Sequence, residues 1–96
     1  MARSARATAD LLILRGPGRV IAISGQKTAA AITAGVVTVY DATTEGGTVI
    51  WQQRIDLIAD LPFNVALLAR CVNGIFVGFD ATLAGVAFTI TFDTEN

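Results

Sequence analysis

The sequence predicts an all-β fold: a single small β-sandwich, jelly-roll-like or Greek-key, of about seven short antiparallel strands behind an extended N-terminal arm. Three observations lead there. Apolar and polar residues alternate with a period of two in the later segments, as a sheet with one dry face requires. Gly-containing turns separate the segments at short intervals, and β-branched residues fall in register within them. The arm covers residues 1–10 and the sandwich residues 11–96, one domain in a chain of 96 residues.

Taken in order, Met1 to Ala9 holds Ala, Arg, Ser and Thr with no bulky apolar side chain after Met1, so it orders only if something holds it. Leu11 to Arg15 is the first strand. Gly16-Pro17-Gly18 closes it with a turn, because proline fixes one φ and the flanking glycines permit the others. Arg19 to Ser24 is the second strand, and Gly25 to Gly35 is a small-residue loop or weak edge strand. Val36 to Asp41 is a strand, Ala42 to Gly47 a hairpin-type loop with paired glycines, and Thr48 to Ile55 the returning strand. In that strand Val49, Trp51 and Ile55 share one face, opposite Thr48, Gln52 and Arg54. Asp56 to Pro62 reads as a crossover between sheets, since Pro62 disfavours helical geometry at Leu61. Phe63, Val65, Leu67 and Ala69 then share a face opposite Asn64 and Arg70. Asn73-Gly74 turns the chain, and Ile75, Val77 and Phe79 line up after it. The last strand alternates most clearly, with Val86, Phe88, Ile90 and Phe92 inward and Ala87, Thr89 and Thr91 outward.

Composition narrows the function. Hydrophobic residues make up 53% of the chain and the mean hydropathy is +0.60, more apolar character than so small a core encloses alone. Some of it is therefore expected against another subunit. A formal net charge of -1 argues against a dedicated nucleic-acid binder. The charge is unevenly placed. Met1 to Lys27 sets Arg3, Arg6, Arg15, Arg19 and Lys27 against Asp10 alone, whereas the remainder sets Arg54 and Arg70 against Asp41, Glu45, Asp56, Asp60, Asp80, Asp93 and Glu95. A basic end on an acidic body suits contact between copies, or an arm laid on an acidic neighbour. No stretch approaches the ~20 apolar residues of a membrane helix, and the Leu11-Leu12-Ile13-Leu14 run is too short for a signal peptide. A soluble protein made inside the cell, with no nucleic-acid or membrane partner, is expected.

Catalytic apparatus is not expected. The chain has no His, which removes Ser-His and Cys-His nucleophile pairs and the usual zinc sets. Cys71, the only cysteine, reads as a small buried apolar residue, and no internal disulfide is possible. Asp41, Glu45, Asp56 and Asp60 lack EF-hand spacing and read as solvated loop acids. Neither a metal nor a cofactor is implied. Tyr40 and Trp51 are the aromatic residues with polar handles, and Trp51 is expected in the core through its strand-mates.

One arrangement is more specific. It runs Gly18-Arg19-Val20-Ile21-Ala22-Ile23, then Gly35-Val36-Val37-Thr38-Val39-Tyr40-Asp41-Ala42-Thr43, then Gly46-Gly47-Thr48-Val49-Ile50. Pro62-Phe63-Asn64-Val65, Asn73-Gly74-Ile75-Phe76-Val77 and a closing Thr-rich strand follow. Over about residues 16–92 this order resembles the small β-rich virion proteins of tailed bacteriophages. The resemblance implies a non-enzymatic capsid decoration (cement) or head-spike protein on the virion exterior. It would bind the major capsid protein and copies of itself as a symmetric homo-oligomer, a trimer ahead of other states. Arg3, Arg6 and Arg15 are then the candidate partner-contact residues, through charge-assisted bonds to acidic capsid side chains. The alternatives are a tail or head-tail junction component, and a virion-borne glycan-binding module that uses Trp51 and Tyr40. The longer Gln53 to Leu61 segment and the basic arm depart from the commonest pattern of that group.

Overall fold

The computed structural model describes residues 2–28, 32–55, 63–80 and 82–94. It is all-β, two four-stranded antiparallel sheets facing one another as a small β-sandwich. The strands are β1 (Ala2–Ala7), β2 (Leu11–Arg15), β3 (Gly18–Lys27), β4 (Gly35–Asp41), β5 (Thr48–Ile55), β6 (Phe63–Cys71), β7 (Gly74–Phe79) and β8 (Val86–Thr94). One sheet has the order β1-β8-β3-β6 and the other β2-β7-β4-β5. The chain changes sheet at every connection except β4 to β5, which is why its core is assembled from partners distant in sequence.

The period-two pattern does what it predicts. Ala5, Ile90, Ile23 and Val65 form one row across the inner face of the first sheet through the pairs Ala5↔Ile90, Ile23↔Ile90 and Ile23↔Val65. Leu11, Val77, Val39 and Trp51 form the corresponding row of the second. Phe88, Ile90, Ile23, Val39 and Val77 are fully buried between them. Phe79 and Phe88, one from each sheet, meet edge to face with centroids 5.4 Å apart at 70°. Such a pair adds about 1 kcal/mol beyond its buried area and ties the layers together.

Four expectations change. There are eight strands in place of about seven, and the additional one is the stretch expected as an arm: residues 2–7 pair with β8 from Ala2↔Asp93 to Ala7↔Phe88. Its apolar inward residues are the buried Ala7 and the partly buried Ala5, so the sequence lacks the bulky alternation that marks the other strands. Second, the Gly25 to Gly35 loop begins late, because Gly25 to Lys27 continue β3 against Phe88 to Val86 of β8; residues 29–31 lie outside the described residues. Third, Val49 does not join Trp51 and Ile55 inside. A bulge between Val39 and Tyr40 re-registers β5, so that Trp51 opposes Val39 and Val49 opposes Tyr40. Ile55 is buried, Trp51 packs partly buried against the core, and Val49 stays 50% exposed. Fourth, the strand from Phe63 keeps Val65, Leu67 and Ala69 on one face, as expected, but carries an unforeseen bulge at Leu67 and Leu68 opposite Val20 to Ala22, and Leu68 takes φ 52°. The crossover read at Asp56 to Pro62 lies outside the described residues; β5 and β6 do lie in different sheets.

At one end, two tight connections lie side by side. The Gly16–Pro17 turn, with Gly16 at φ 98°, donates its Gly16 N–H to the Asn73 carbonyl of the β6–β7 turn at 3.0 Å. Asp41, closing β4, braces that second turn: its Oδ1 accepts the N–H groups of Asn73 at 2.8 Å, Val72 at 3.0 Å and Gly74 at 3.4 Å.

Candidate functional site

The arginines singled out as partner contacts are dispersed. Arg3 and Arg6 sit on β1, but alternation sends them to opposite sides: Arg3 opposes Phe92 on the inward side and Arg6 opposes Thr89 on the outer face. Both are exposed. Arg15 ends β2 in the other sheet, opposite Gly74, and is exposed as well. Pairing also aligns residues that sequence reasoning did not join. Asp93, Arg19 and Arg70 form one row across β8, β3 and β6, at the same end of the sandwich as Arg3 and the Gly16–Pro17 turn. The pairing registers that create this row include a bulge, and no sequence signal marks it.

A second feature lies on the outer face of the β2-β7-β4-β5 sheet, an open groove of about 910 Å³. Its floor is strand: Gly78 of β7, Thr38 of β4 and Gln52 of β5, with Thr38 opposite both Gly78 and Gln52. Thr38 is buried although it lies on the outward side of β4, and the Gln52 Nε2 donates to its Oγ1 at 3.1 Å. Tyr40 forms a side wall. Gly78 is what lets it lie there, since a Cβ at that position would come within 3.0 Å of Tyr40 Cε2. The ring also leans on Phe76 at 6.4 Å between centroids.

Three carboxylates border the groove, Asp10, Asp80 and Glu45. Two are held by the main chain. Asp10 Oδ1 accepts the Phe79 N–H at 2.7 Å, fixing the β1–β2 connection to the end of β7, and Asp80 Oδ1 accepts the Thr82 N–H at 3.3 Å. Thr82 in turn donates its hydroxyl to the Ala34 carbonyl at 2.8 Å, and Asp80 N–H bonds Val36 O at 2.8 Å. Each of these carboxylates keeps a second oxygen for another donor. Glu45, exposed in the β4–β5 loop, reaches over Gly78. Among the described residues, no Lys or Arg lines the groove. Gln52 was readable as a polar position on the face opposite Trp51, Thr38 only as a member of its strand, and Asp10 only as the single acid of the basic end; the convergence of Thr38 and Gln52 with Gly78 depends on the β4–β5 and β4–β7 registers.

Cys71 and Trp51 lie toward the core instead. Cys71 is buried, and burial, with the Asp41 charge adding to it, pushes its thiol up to about 11 against a backbone hydrogen bond from Val20 that pulls the other way. A thiol so raised supplies almost no thiolate at neutral pH. Trp51 packs partly buried against the core. Among the described residues, no group of three or more His, Cys, Asp or Glu could hold a metal ion.

No protein-family model matches the chain, and neither a curated protein nor a solved structure gives a match.

Proposed function

We propose that the sandwich is a jelly-roll and that the protein is a virion structural protein, a capsid decoration subunit that binds the outer capsid surface and links neighbouring major capsid proteins. The observation that carries this reading is the strand order β1-β8-β3-β6 over β2-β7-β4-β5. Eight strands shared between two such sheets is the arrangement of two Greek keys used by viral capsid and lectin domains. It agrees with the resemblance of residues 16–92 to small β-rich phage virion proteins. The outer edge of β1 supports an adhesive role. It is a short edge strand carrying Arg3 and Arg6, with main-chain groups on its free side available for strand addition. The exposed Leu68 and Val72, at 67% and 60%, add apolar surface beside the β6 edge. A homo-oligomer, a trimer first among the candidates, would cover such surface.

The test is charge reversal on β1 within particles of a phage carrying this chain. Arg3→Glu combined with Arg6→Glu alters only exposed side chains, so the sandwich stays folded while attachment to an acidic capsid surface falls severalfold and becomes less salt-sensitive. Unchanged occupancy would remove the arginines from the docking surface. A copy number matching the single tail vertex, rather than the capsid lattice, would overturn decoration in favour of a junction role.

A further inference from the structure

We infer that the groove on the outer face of the β2-β7-β4-β5 sheet is a binding site for neutral, hydroxyl-rich glycans. Its floor comes from strands, and two of its bordering carboxylates, Asp10 and Asp80, are held by main-chain N–H groups, so these polar atoms are positioned before any ligand arrives, and its volume of about 910 Å³ suits an oligosaccharide better than one sugar ring.

The chemistry of the lining selects the ligand. Asp10, Asp80 and Glu45 are acceptors only, whereas the Gln52 amide and the Thr38 and Tyr40 hydroxyls both donate and accept. A ligand that brings only donors, such as a guanidinium or an ammonium, would satisfy the carboxylates and waste the donors on the floor. A ligand that carries negative charge, such as a sulfated or sialylated chain, would meet three carboxylates with no lining cation to offset them. Sugar hydroxyls do both jobs, and the ring of Tyr40 offers apolar surface to the C–H face of a pyranose.

The floor adds an independent observation. Thr38 is only 5% exposed, and its Oγ1 accepts a hydrogen bond from Gln52 Nε2, which fixes Gln52 over the groove with its amide oxygen as acceptor. The bond satisfies the Thr38 hydroxyl at its buried position and holds the exposed Gln52 amide at the base of the groove. This site shares no residue with the β1 edge or the Leu68 surface of the proposed docking role, so either can stand without the other.

The experiment is a titration of the folded, full-length protein with neutral oligosaccharides of glucose, galactose, mannose and N-acetylglucosamine, followed by amide chemical shifts. Parallel titrations use a heparin fragment, calcium and a peptide copying residues 2–8. The expected result is a saturable response to at least one neutral series, confined to the amides around Thr38, Gln52 and Gly78. Gln52→Ala and Glu45→Ala, both at exposed side chains, should each weaken it about tenfold. Gly78→Ala, which would push Tyr40 aside, should weaken it further. Binding by the peptide, heparin or calcium alone, no response to any neutral sugar, or a response that both alanine variants leave unchanged would overturn the assignment.

Discussion

Asp41 shows how a single carboxylate can set the shape of one end of the sandwich. Burial pushes its pKa up, but the N–H groups of Asn73, Val72 and Gly74 converge on Oδ1 and outweigh that, leaving it below the ordinary 3.8. The sign follows from linkage: the unfolded chain takes up the proton first as pH falls, so the group contributes stability above pH ~3.8 and loses it as pH drops through the lower folded value. Asp41→Ala leaves those donors without their acceptor. We expect a loss of about 1–3 kcal/mol at pH 7, and a flatter stability profile below pH 4 than the parent shows. Urea denaturation at pH 7 and between pH 2 and 5 checks both, and parallel profiles for the two proteins would show that the β6–β7 turn needs no brace. Asp41 reads from sequence as a solvated loop acid, because the turn it braces is contributed by residues some thirty positions away.

At the scale of elements, the strands that were legible are those whose inward positions are large. β8 places Val86, Phe88, Ile90 and Phe92 inside as its alternation requires, and β7 does so with Ile75 and Val77. β1 was not legible, since alanines carry no hydrophobic signal and a strand of Ala, Arg and Ser declares itself only through the edge it pairs with. Bulges escaped for a related reason. One extra residue in a ladder costs nothing in composition, yet it turned Val49 outward and put Leu68 in the left-handed region. The groove depended on those same registers, so its residues were visible singly and its assembly was not. Leu68 carries the sharpest consequence. A β-carbon at φ 52° costs about 1 kcal/mol or more, and the side chain recovers little of it at 67% exposure. Leu68→Gly should therefore raise the stability of the isolated protein by roughly 0.5–1 kcal/mol, after allowing for the extra freedom of glycine in the unfolded chain. Thermal melts at low concentration measure it. A lowered melting temperature would mean that Leu68 makes contacts in solution that offset its strain, as it would inside an oligomer.

For the whole molecule, the pairings that close the sandwich are the most distant in sequence. Ala2 opposes Asp93 and Ala7 opposes Phe88, so β1 is joined to its sheet through β8 alone. β8 and β3 exchange a long ladder of bonds and bury Phe88, Ile90, Ile23 and Val20 between the sheets, whereas β1 contributes one ladder, the buried Ala7 and a partly buried Ala5. Fixing the backbone of a strand costs about 1–2 kcal/mol per residue, and two alanine methyl groups return little of that. The main-chain bonds to β8 must supply the rest at about 1 kcal/mol each, so β1 lies near balance. It should open without the remainder of the sheet unfolding. Native-state hydrogen exchange tests this directly: the amides of Ser4 to Ala7 that bond β8 should exchange with an opening free energy several kcal/mol below that of the β3–β8 ladder around Ile23 and Ile90. In a decorated particle the same β1 amides should become as slow as the core, because a partner strand or acidic surface along the free edge would add its binding energy to that opening. Equal protection of β1 and β3 in the isolated protein would mean that the edge is locked by its own chain, and would leave the basic strand with no reason to seek a neighbour.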